Sequence, residues 1–320
     1  MSKNIAFIGR GNIAKFHADV LVSLGHKIKT LTTKFPIEPI NEFTQKYKIE
    51  LVYDNFKNML ENEKVDAVWL LTPWHLNNSF LKELIPYKIP IFTEKPVGLS
   101  SIEVQELIDL QAKYGTQIQV GNNRRFYDFV PLLRNIINEG KLRSISIEIP
   151  ETTGKLNFFE KEKLWIHNSS HVVDLLYHLV GPLDVIYSNK TQSIGETFDT
   201  FNSFLLTERG VPVHINATWN SPTNFSIKFF IENKIYELKP IEFLNVYEGF
   251  EIIEPTKDIP VRRYLPKRIS SIYASASDNP FKPGFLNQIK YFFGENDHKF
   301  IASSLEEVKR TTELIERITL

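Results

Sequence analysis

The sequence predicts an α/β chain of two domains, a doubly wound parallel sheet first and then an α/β domain whose sheet is mostly antiparallel. Three observations carry this expectation. Short apolar runs alternate with longer amphipathic patterns from residue 4 to about residue 120, and such alternation puts parallel strands between two layers of helices. A glycine-containing turn, Gly9-Arg10-Gly11-Asn12-Ile13-Ala14, follows the first apolar run directly. After Gly121 the pattern changes to short β-type runs broken by turn signals. At 320 residues the chain also exceeds the usual size of one hydrophobic core, so two domains are expected, 1–122 and 123–320.

In chain order, the predicted strands of the first domain are Asn4–Ile8, Ile28–Thr32, Ala67–Leu71, Ile89–Phe92 and Gln117–Val120. They are too uniformly apolar to have one wet face, as strands buried on both sides must be. Amphipathic patterns such as Ile102–Lys113 fill the intervals as helices. In the second domain Phe126–Asn138 reads as a helix, Ser144–Pro150 as a strand, and Ser170–Val180 as a helix stopped by Gly181-Pro182. The runs Phe204–Leu206, Val211–Ala217, Phe225–Ile231 and Lys234–Leu238 are separated by Arg209-Gly210, Ser221-Pro222 and Glu232-Asn233, which predicts an antiparallel sheet. Glu251–Asn279, holding Arg262, Arg263, Lys267 and Arg268, has weak periodicity and is expected to be a long loop or arm. Two helices, Pro283–Phe293 and Ser304–Ile318, close the chain, the second with Ser304 and Glu307 at capping-box spacing.

Composition excludes several classes of function. Lys and Arg number 38 against 38 Asp and Glu, for a formal charge of zero, so no partner held by bulk electrostatics is expected, neither nucleic acid nor an anionic membrane surface. With no cysteine there is no disulfide framework, no thiolate nucleophile and no cysteine-ligated metal. A reducing compartment, the cytoplasm, is the expected location. Met1–Gly9 has neither an apolar h-region nor a cleavage site, and no stretch reaches the ~18 apolar residues of a membrane helix. The expected partner is a small-molecule substrate.

The pattern G-x-G-x-x-A, placed between a strand and a helix, binds a dinucleotide. Gly9 makes the tight turn, Gly11 lets backbone N–H groups approach a pyrophosphate, and Ala14 permits close helix–strand contact. The cofactor-binding set of this turn is Gly9, Arg10, Gly11, Asn12 and Ile13. NAD binding calls for an acidic residue about 20 positions further on, at the ribose 2′-hydroxyl, yet Lys29–Pro36 has none. A carboxylate there would repel a 2′-phosphate, whereas Thr33 and Lys34 can donate hydrogen bonds to it. NADP(H) is favoured, with NAD(H) the alternative.

Gly9–Ala14, Val65–Pro73, Glu94-Lys95-Pro96 and Gly121–Phe126 together resemble the glucose–fructose oxidoreductase/inositol dehydrogenase/rhizopine-catabolism (Gfo/Idh/MocA) family of NAD(P)-dependent oxidoreductases. The resemblance continues through His171-Val-Val-Asp174 and the final helices. It implies an N-terminal Rossmann domain and a C-terminal α/β domain with a large, open, mostly antiparallel sheet that pairs with another subunit, in a homodimer or homotetramer. It implies that Lys95 faces the nicotinamide and the reacting carbon, where an ammonium can donate to the substrate oxygen and take part in proton transfer. His171 matches the family's catalytic histidine and Asp174 the helical aspartate after it. The family aspartate four residues before that histidine is His167 here, counted with Lys95 and His171 among the catalytic candidates, although it cannot raise the pKa of His171 as a carboxylate does. Thr72, Pro73, His75 and Glu94 fall where the family lines its cofactor crevice, and Asn123 and Arg125 where it touches cofactor or substrate. The family often has a histidine at the position of Asn77.

Other uses of these residues weigh against some roles. His167, His171 and His178, with Asp174, share one face of a continuous helix, a spacing able to hold zinc, but the family needs none and no metal is expected. Arg124 and Arg125 are equally suited to salt bridges. Trp165 and Trp219 suit a sugar-stacking wall or a packed core. With Asn168, the substrate candidates are Arg125, Trp165 and Asp174. The expected reaction is reversible hydride transfer between nicotinamide and a carbinol or carbonyl of a sugar, polyol or nucleotide-linked sugar, with His171 and Lys95 handling the proton. Reduction of a non-sugar ligand such as a linear tetrapyrrole or an imine, and non-catalytic dinucleotide-dependent regulation, stay open.

Overall fold

The computed structural model describes residues 1–33, 40–194, 196–295 and 299–320. Contacts divide the chain into two compact units, Met1–Phe126 with Ser277–Glu313, and Tyr127–Ala276 with Leu314–Leu320. The first crossing falls four residues after the expected 122/123 boundary. The larger difference is the return of the chain to the first unit at Ser277.

The first unit alternates β1 (Asn4–Ile8), α1 (Asn12–Ser23), β2 (Lys27–Thr32), α2 (Ile40–Tyr47), β3 (Leu51–Tyr53), α3 (Phe56–Asn62), β4 (Ala67–Leu70), α4 (Asn77–Leu84), β5 (Ile91–Thr93), α5 (Ser101–Tyr114) and β6 (Ile118–Val120). Its strands pair in parallel in the order β3-β2-β1-β4-β5-β6. The order reverses direction between β1 and β4, and the carboxyl ends of strands at such a point open into a ligand crevice. Alternate residues of β1 serve two different cores. Ile5 and Phe7 join Trp69, Phe92 and residues of α1, whereas Ala6 and Ile8 join Val68, Leu70 and residues of α3, α4 and α5. Burial on both faces explains why these strands read as uniform apolar runs. β3 escaped the sequence pattern because it is a three-residue edge strand with no buried residue. β5 begins after Pro90, which has no N–H for the ladder.

The second unit contains α6 (Val130–Glu139), β7 (Leu142–Ile149), α7 (Phe158–Glu162), α8 (Ser170–Val180), β8 (Leu183–Thr191), β9 (Thr200–Thr207), β10 (Pro212–Thr218), β11 (Ser226–Ile231), β12 (Lys234–Leu238), β13 (Phe243–Ile253) and β14 (Arg263–Tyr273). The strands form one sheet in the order β14-β13-β12-β11-β7-β10-β9-β8, antiparallel except for β7 against β10. Ile145, Ile147, Ile149, Val213, Ile215 and Ala217 point to a dry face, while Ser146, Glu148, His214 and Asn216 between them are partly or fully exposed. The sheet is thus open on one side, as the resemblance implied. Two helices follow, α9 (Phe285–Phe292) and α10 (Leu305–Thr319). Phe285, Ile289 and Phe292 of α9 and Leu305 of α10 pack on the parallel sheet of the first unit, and α10 opens with the expected reciprocal bonds between Ser304 and Glu307.

Two expectations need correction. Glu251–Asn279 is not simply a loop: the end of β13 and the whole of β14 occupy about half of it as a paired hairpin. Phe250, Ile252, Tyr264 and Leu265 are exposed beside equally exposed charged neighbours, so no alternation of burial marked the strands. The helix expected over Phe126–Asn138 starts only at Val130, with Pro131 in its first turn, where a missing N–H is harmless. Before it lies a separate 3₁₀ turn, Asn123–Phe126.

Candidate functional site

The first unit builds a crevice at the carboxyl ends of its central strands. Gly9 turns the chain after β1 with φ of +96°, and its N–H donates to the carbonyl of Thr32 at 2.9 Å. A Cβ at this position would lie 2.5 Å from the carbonyl oxygen of Leu71, closer than any side chain tolerates. Gly11 caps α1, a Cβ on it would meet nothing within 4 Å, and the first turn carries no acidic residue. Gly11 and Asn12 are exposed, Arg10 and Ile13 partly so, and Ala14 is fully buried against the sheet. Open space over a helix N-terminus with outward backbone donors and no competing carboxylate fits a pyrophosphate.

Around this cradle, Thr33 follows β2 and its N–H donates to the carbonyl of Tyr53 at 3.1 Å; Lys34 lies outside the described residues. Pro73 and His75 follow β4 and are exposed, and Thr72 donates its hydroxyl to Oδ1 of Asn77 at 2.7 Å. Lys95 stands just past β5 and is partly exposed. Its neighbour Glu94 faces inward: Oε1 bonds Nε2 of His17 at 2.8 Å, and His17 is fully buried with its ring against Phe92 and Phe285. A Cβ on Gly121 would come within 2.9 Å of the same oxygen. The Glu94 carboxylate, expected on the cofactor, is therefore engaged in anchoring the segment that carries Lys95.

Asn123 and Arg125 also differ from expectation. Asn123 is buried and donates to the carbonyl of Pro283 at 3.0 Å. Arg125 has no exposed surface and pairs with Glu307 at 2.9 Å. An arginine so enclosed is held by its ion pair within the first unit, and it is withdrawn as a substrate ligand.

In the second unit, α8 is preceded by a π-helical turn, Trp165–Ser169, a wide turn that recurs at functional sites. It widens the helix at His167 and leads into α8 at Ser170 without a gap. His167, Asn168 and His171 are all partly exposed, whereas Asp174 is buried. Beneath the turn lies Glu151, just past β7 and 2% exposed. Its carboxylate accepts hydrogen bonds from Nδ2 of Asn168 at 2.8 Å and from the hydroxyl of Ser169 at 2.5 Å, and its carbonyl accepts from the N–H of Asn220. Trp165 is corrected from sugar wall to core: it is 4% exposed and packs on Phe201 and Trp219. Among the described residues, no three histidine or carboxylate side chains are arranged to hold a metal ion.

Sequence reasoning did not anticipate the parts played by Asn77, His17 and Glu151. The one available signal was Glu151 itself, a charged residue directly after an apolar strand, the position from which strand ends deliver functional side chains.

A glycine cradle at the β1 carboxyl end of a parallel sheet in this order defines the class, a Rossmann-type dinucleotide-binding protein. Residues 3–122 match the profile of the Gfo/Idh/MocA oxidoreductase family, NAD-binding Rossmann fold. The likeness to that family covers those residues. Among curated relatives, the uncharacterized oxidoreductase YrbE of Bacillus subtilis is 28% identical over 189 residues, 57% of this chain and 55% of YrbE. Myo-inositol 2-dehydrogenase of Thermotoga maritima is 25% identical over 138 residues, 43% of this chain and 41% of that protein. The chain thus aligns with about half the length of these relatives. Solved structures extend the likeness of fold to the whole chain. A dehydrogenase (MviM) from Clostridium difficile has a TM-score of 0.78 at 18% identity, covering 100% of this chain and 99% of that one. Levoglucosan dehydrogenase, solved with NADH and L-sorbose, has a TM-score of 0.78 at 15% identity, covering 100% and 96%.

Proposed function

We propose that the protein is an NAD(P)-dependent oxidoreductase that moves a hydride between nicotinamide and the carbinol or carbonyl carbon of a sugar, polyol or nucleotide-linked sugar. The observation that carries this is the anchoring of Glu94-Lys95-Pro96 beside an open glycine cradle, an investment of buried polar contacts in the placement of one lysine. The names of two similar proteins, a myo-inositol and a levoglucosan dehydrogenase, support the substrate class.

The residues that would hold the cofactor are Gly9, Arg10, Gly11, Asn12 and Ile13 at the pyrophosphate, Thr33 and Lys34 at the adenosine ribose, and Thr72, Pro73 and His75 toward the nicotinamide. A bound nicotinamide would supply the hydride acceptor for oxidation and the hydride donor for reduction. An imidazole nitrogen of His171 takes the substrate hydroxyl proton. Nζ of Lys95 is a hydrogen-bond donor able to stabilise alkoxide character on a reacting oxygen. His167 and Asn168 border His171 on the partly exposed turn and meet the substrate's other hydroxyls. NADP(H) is preferred over NAD(H), since Thr33 offers a donor where a carboxylate would exclude the 2′-phosphate. The open sheet face and the exposed Phe250, Ile252, Tyr264 and Leu265 of the β13–β14 hairpin support a homo-oligomer, and the absence of cysteine supports a cytoplasmic location.

The test is absorbance at 340 nm with NADP⁺ or NAD⁺ and a panel of myo-inositol, levoglucosan, D-glucose and UDP-N-acetylglucosamine. Turnover that disappears in Lys95→Ala and in His171→Ala, with cofactor binding retained, supports the assignment. No absorbance change with any member, or undiminished turnover in His171→Ala, overturns it.

A further inference from the structure

Asn77 stands at the start of α4 with no exposed surface. Its amide makes three hydrogen bonds, all to the proposed site. Nδ2 donates to the carbonyl of Glu94 at 2.9 Å and to the carbonyl of Pro96 at 3.0 Å, while Oδ1 accepts from the hydroxyl of Thr72 at 2.7 Å. The two carbonyls belong to the residues immediately before and after Lys95. We propose that Asn77 is a positioning residue for Lys95, clamping the backbone on both sides of the lysine and tying it to Thr72 on the rim of the cofactor crevice.

The chemistry of the amide is specific. Two donors on a single nitrogen are needed to hold two carbonyls from one point, and both hydrogens of Nδ2 are used. The two carbonyls fix which end of the amide is which, because a flipped amide would turn its oxygen toward two carbonyl oxygens and lose both of those bonds, whereas the Thr72 hydroxyl can donate or accept. An aspartate has the same shape and no donor. A histidine has one donor per ring nitrogen and cannot serve both carbonyls from one atom. With its flanking carbonyls held and the Glu94 side chain bound to His17, the backbone of Lys95 has little freedom to move independently. The ammonium then searches space only through its own side-chain torsions. Positioning of this kind shows in turnover, because a reacting group displaced by a fraction of its bond reach loses rate before it loses binding.

The inference rests on Lys95 being catalytic, and Lys95→Met is made in parallel to separate the two claims. Asn77→Asp is compared with the unaltered protein by three measurements that need no turnover. Hydrogen–deuterium exchange is expected to accelerate in residues 93–98 and to stay unchanged elsewhere. The titration of Lys95, followed by NMR of reductively ¹³C-methylated protein and assigned with Lys95→Arg, is expected to move. NADP(H) affinity, from fluorescence, is expected to stay within about twofold, since the glycine cradle is untouched. On the active substrate, kcat is expected to fall about tenfold or more with KM little changed, the pattern of lost positioning. Unchanged exchange at 93–98, or an unmoved Lys95 titration, in a folded Asn77→Asp protein overturns the proposal. If Asn77→Asp fails to fold, Asn77→Ser removes both donors without adding charge and is judged by the same outcomes. Full turnover in Lys95→Met, with exchange accelerated in Asn77→Asp, would overturn the catalytic role of the lysine and leave the clamp standing.

Discussion

Nε2 of His17 and Oε1 of Glu94 lie 2.8 Å apart, and the imidazole is fully enclosed by the first unit. Nδ1 of His17 is buried without a hydrogen-bond partner, and because a carboxylate oxygen accepts, Nε2–H is the donor in the bond to Glu94. One helix and one strand end are thereby joined through a single bond. His17→Leu keeps the apolar contacts with Phe92 and Phe285 but leaves the carboxylate without its donor. The expected loss is about 1–3 kcal/mol, toward the lower end because Glu94 retains some exposure. His17→Gln, whose amide can donate, is expected to recover part of it. Denaturant unfolding of the three proteins decides; equal stability of Leu and wild type would remove the anchoring role.

Gly9 and Gly11 belong to one motif yet are constrained in different ways. Gly9 needs a positive φ and has the Leu71 carbonyl where a Cβ would be, whereas a Cβ on Gly11 points into open space. Gly9→Ala is therefore expected to destabilise the fold by about 1–3 kcal/mol. Gly11→Ala is expected to fold with a melting temperature close to wild type and to lose cofactor affinity, since the methyl group occupies the approach of the pyrophosphate. Thermal unfolding and NADP(H) titration, run on both variants, separate the two. A Gly11→Ala protein that binds normally would move the pyrophosphate elsewhere.

The contrast between these glycines shows what sequence can express. The motif was legible because its spacing is local: strand, turn and helix follow one another in the chain. β1 and β4 were legible because burial on both faces leaves a nearly continuous apolar run. The β13–β14 hairpin was not, since exposure of both faces erases the alternation on which strand recognition depends. The return of α9 to the first unit was hidden for a different reason. An amphipathic helix declares that it has a buried face but not which sheet buries it. Asn77, His17 and Glu151 lie beyond reach of pattern altogether. Each works through a partner separated from it by 17 to 77 positions, and nothing in the residue type says that it will.

Glu151 is a buried carboxylate just past β7. It holds Asn168 and Ser169 from below, on the turn that leads into His171. Glu151→Ala leaves two donors of that turn without their acceptor, and kcat/KM is expected to fall about 10-fold to 100-fold, as for other groups that orient reacting residues. Glu151→Gln keeps one acceptor oxygen and is expected to fall less. Steady-state kinetics on the active substrate check the order; an Ala variant as active as Gln would make the carboxylate a packing element only.

Thr33 tests the cofactor choice. It follows β2, with its backbone fixed on Tyr53, at the end of the strand where a carboxylate selects the ribose 2′-hydroxyl. Thr33→Asp places a negative charge where a 2′-phosphate would sit and offers an acceptor to a hydroxyl. The ratio of NADP(H) to NAD(H) affinity is expected to fall by about tenfold or more, equivalent to about 1.4 kcal/mol. Fluorescence titration with both cofactors measures it. An unchanged ratio would transfer the discrimination to some other residue.

His26 gives the first unit a pH dependence of definite sign. Burial pushes its pKa below the ordinary 6.5, with the N-terminal amine and Lys3 acting in the same direction and Glu295 opposing them. Its Nδ1 accepts from the N–H of Lys3 at 3.3 Å, and its ring packs on Phe293 at 4.2 Å between centroids. Protonation would cost that acceptor and bury a charge. In the unfolded chain the ring takes its proton near pH 6.5. Between that value and the lower folded one, the unfolded state therefore binds more protons, so stability rises with pH across this window. The contribution is complete above about pH 6.5 and is lost as pH falls toward the folded value. Glu148, held below the usual carboxylate range by Lys239, contributes stability that is lost only as pH falls below the ordinary carboxylate value of about 4.3. Unfolding free energies measured from pH 7.5 to 5 should decline below about pH 6.5, and His26→Phe, which keeps the ring contact and cannot titrate, should decline less steeply. Parallel curves for the two proteins would show that His26 is not the group responsible.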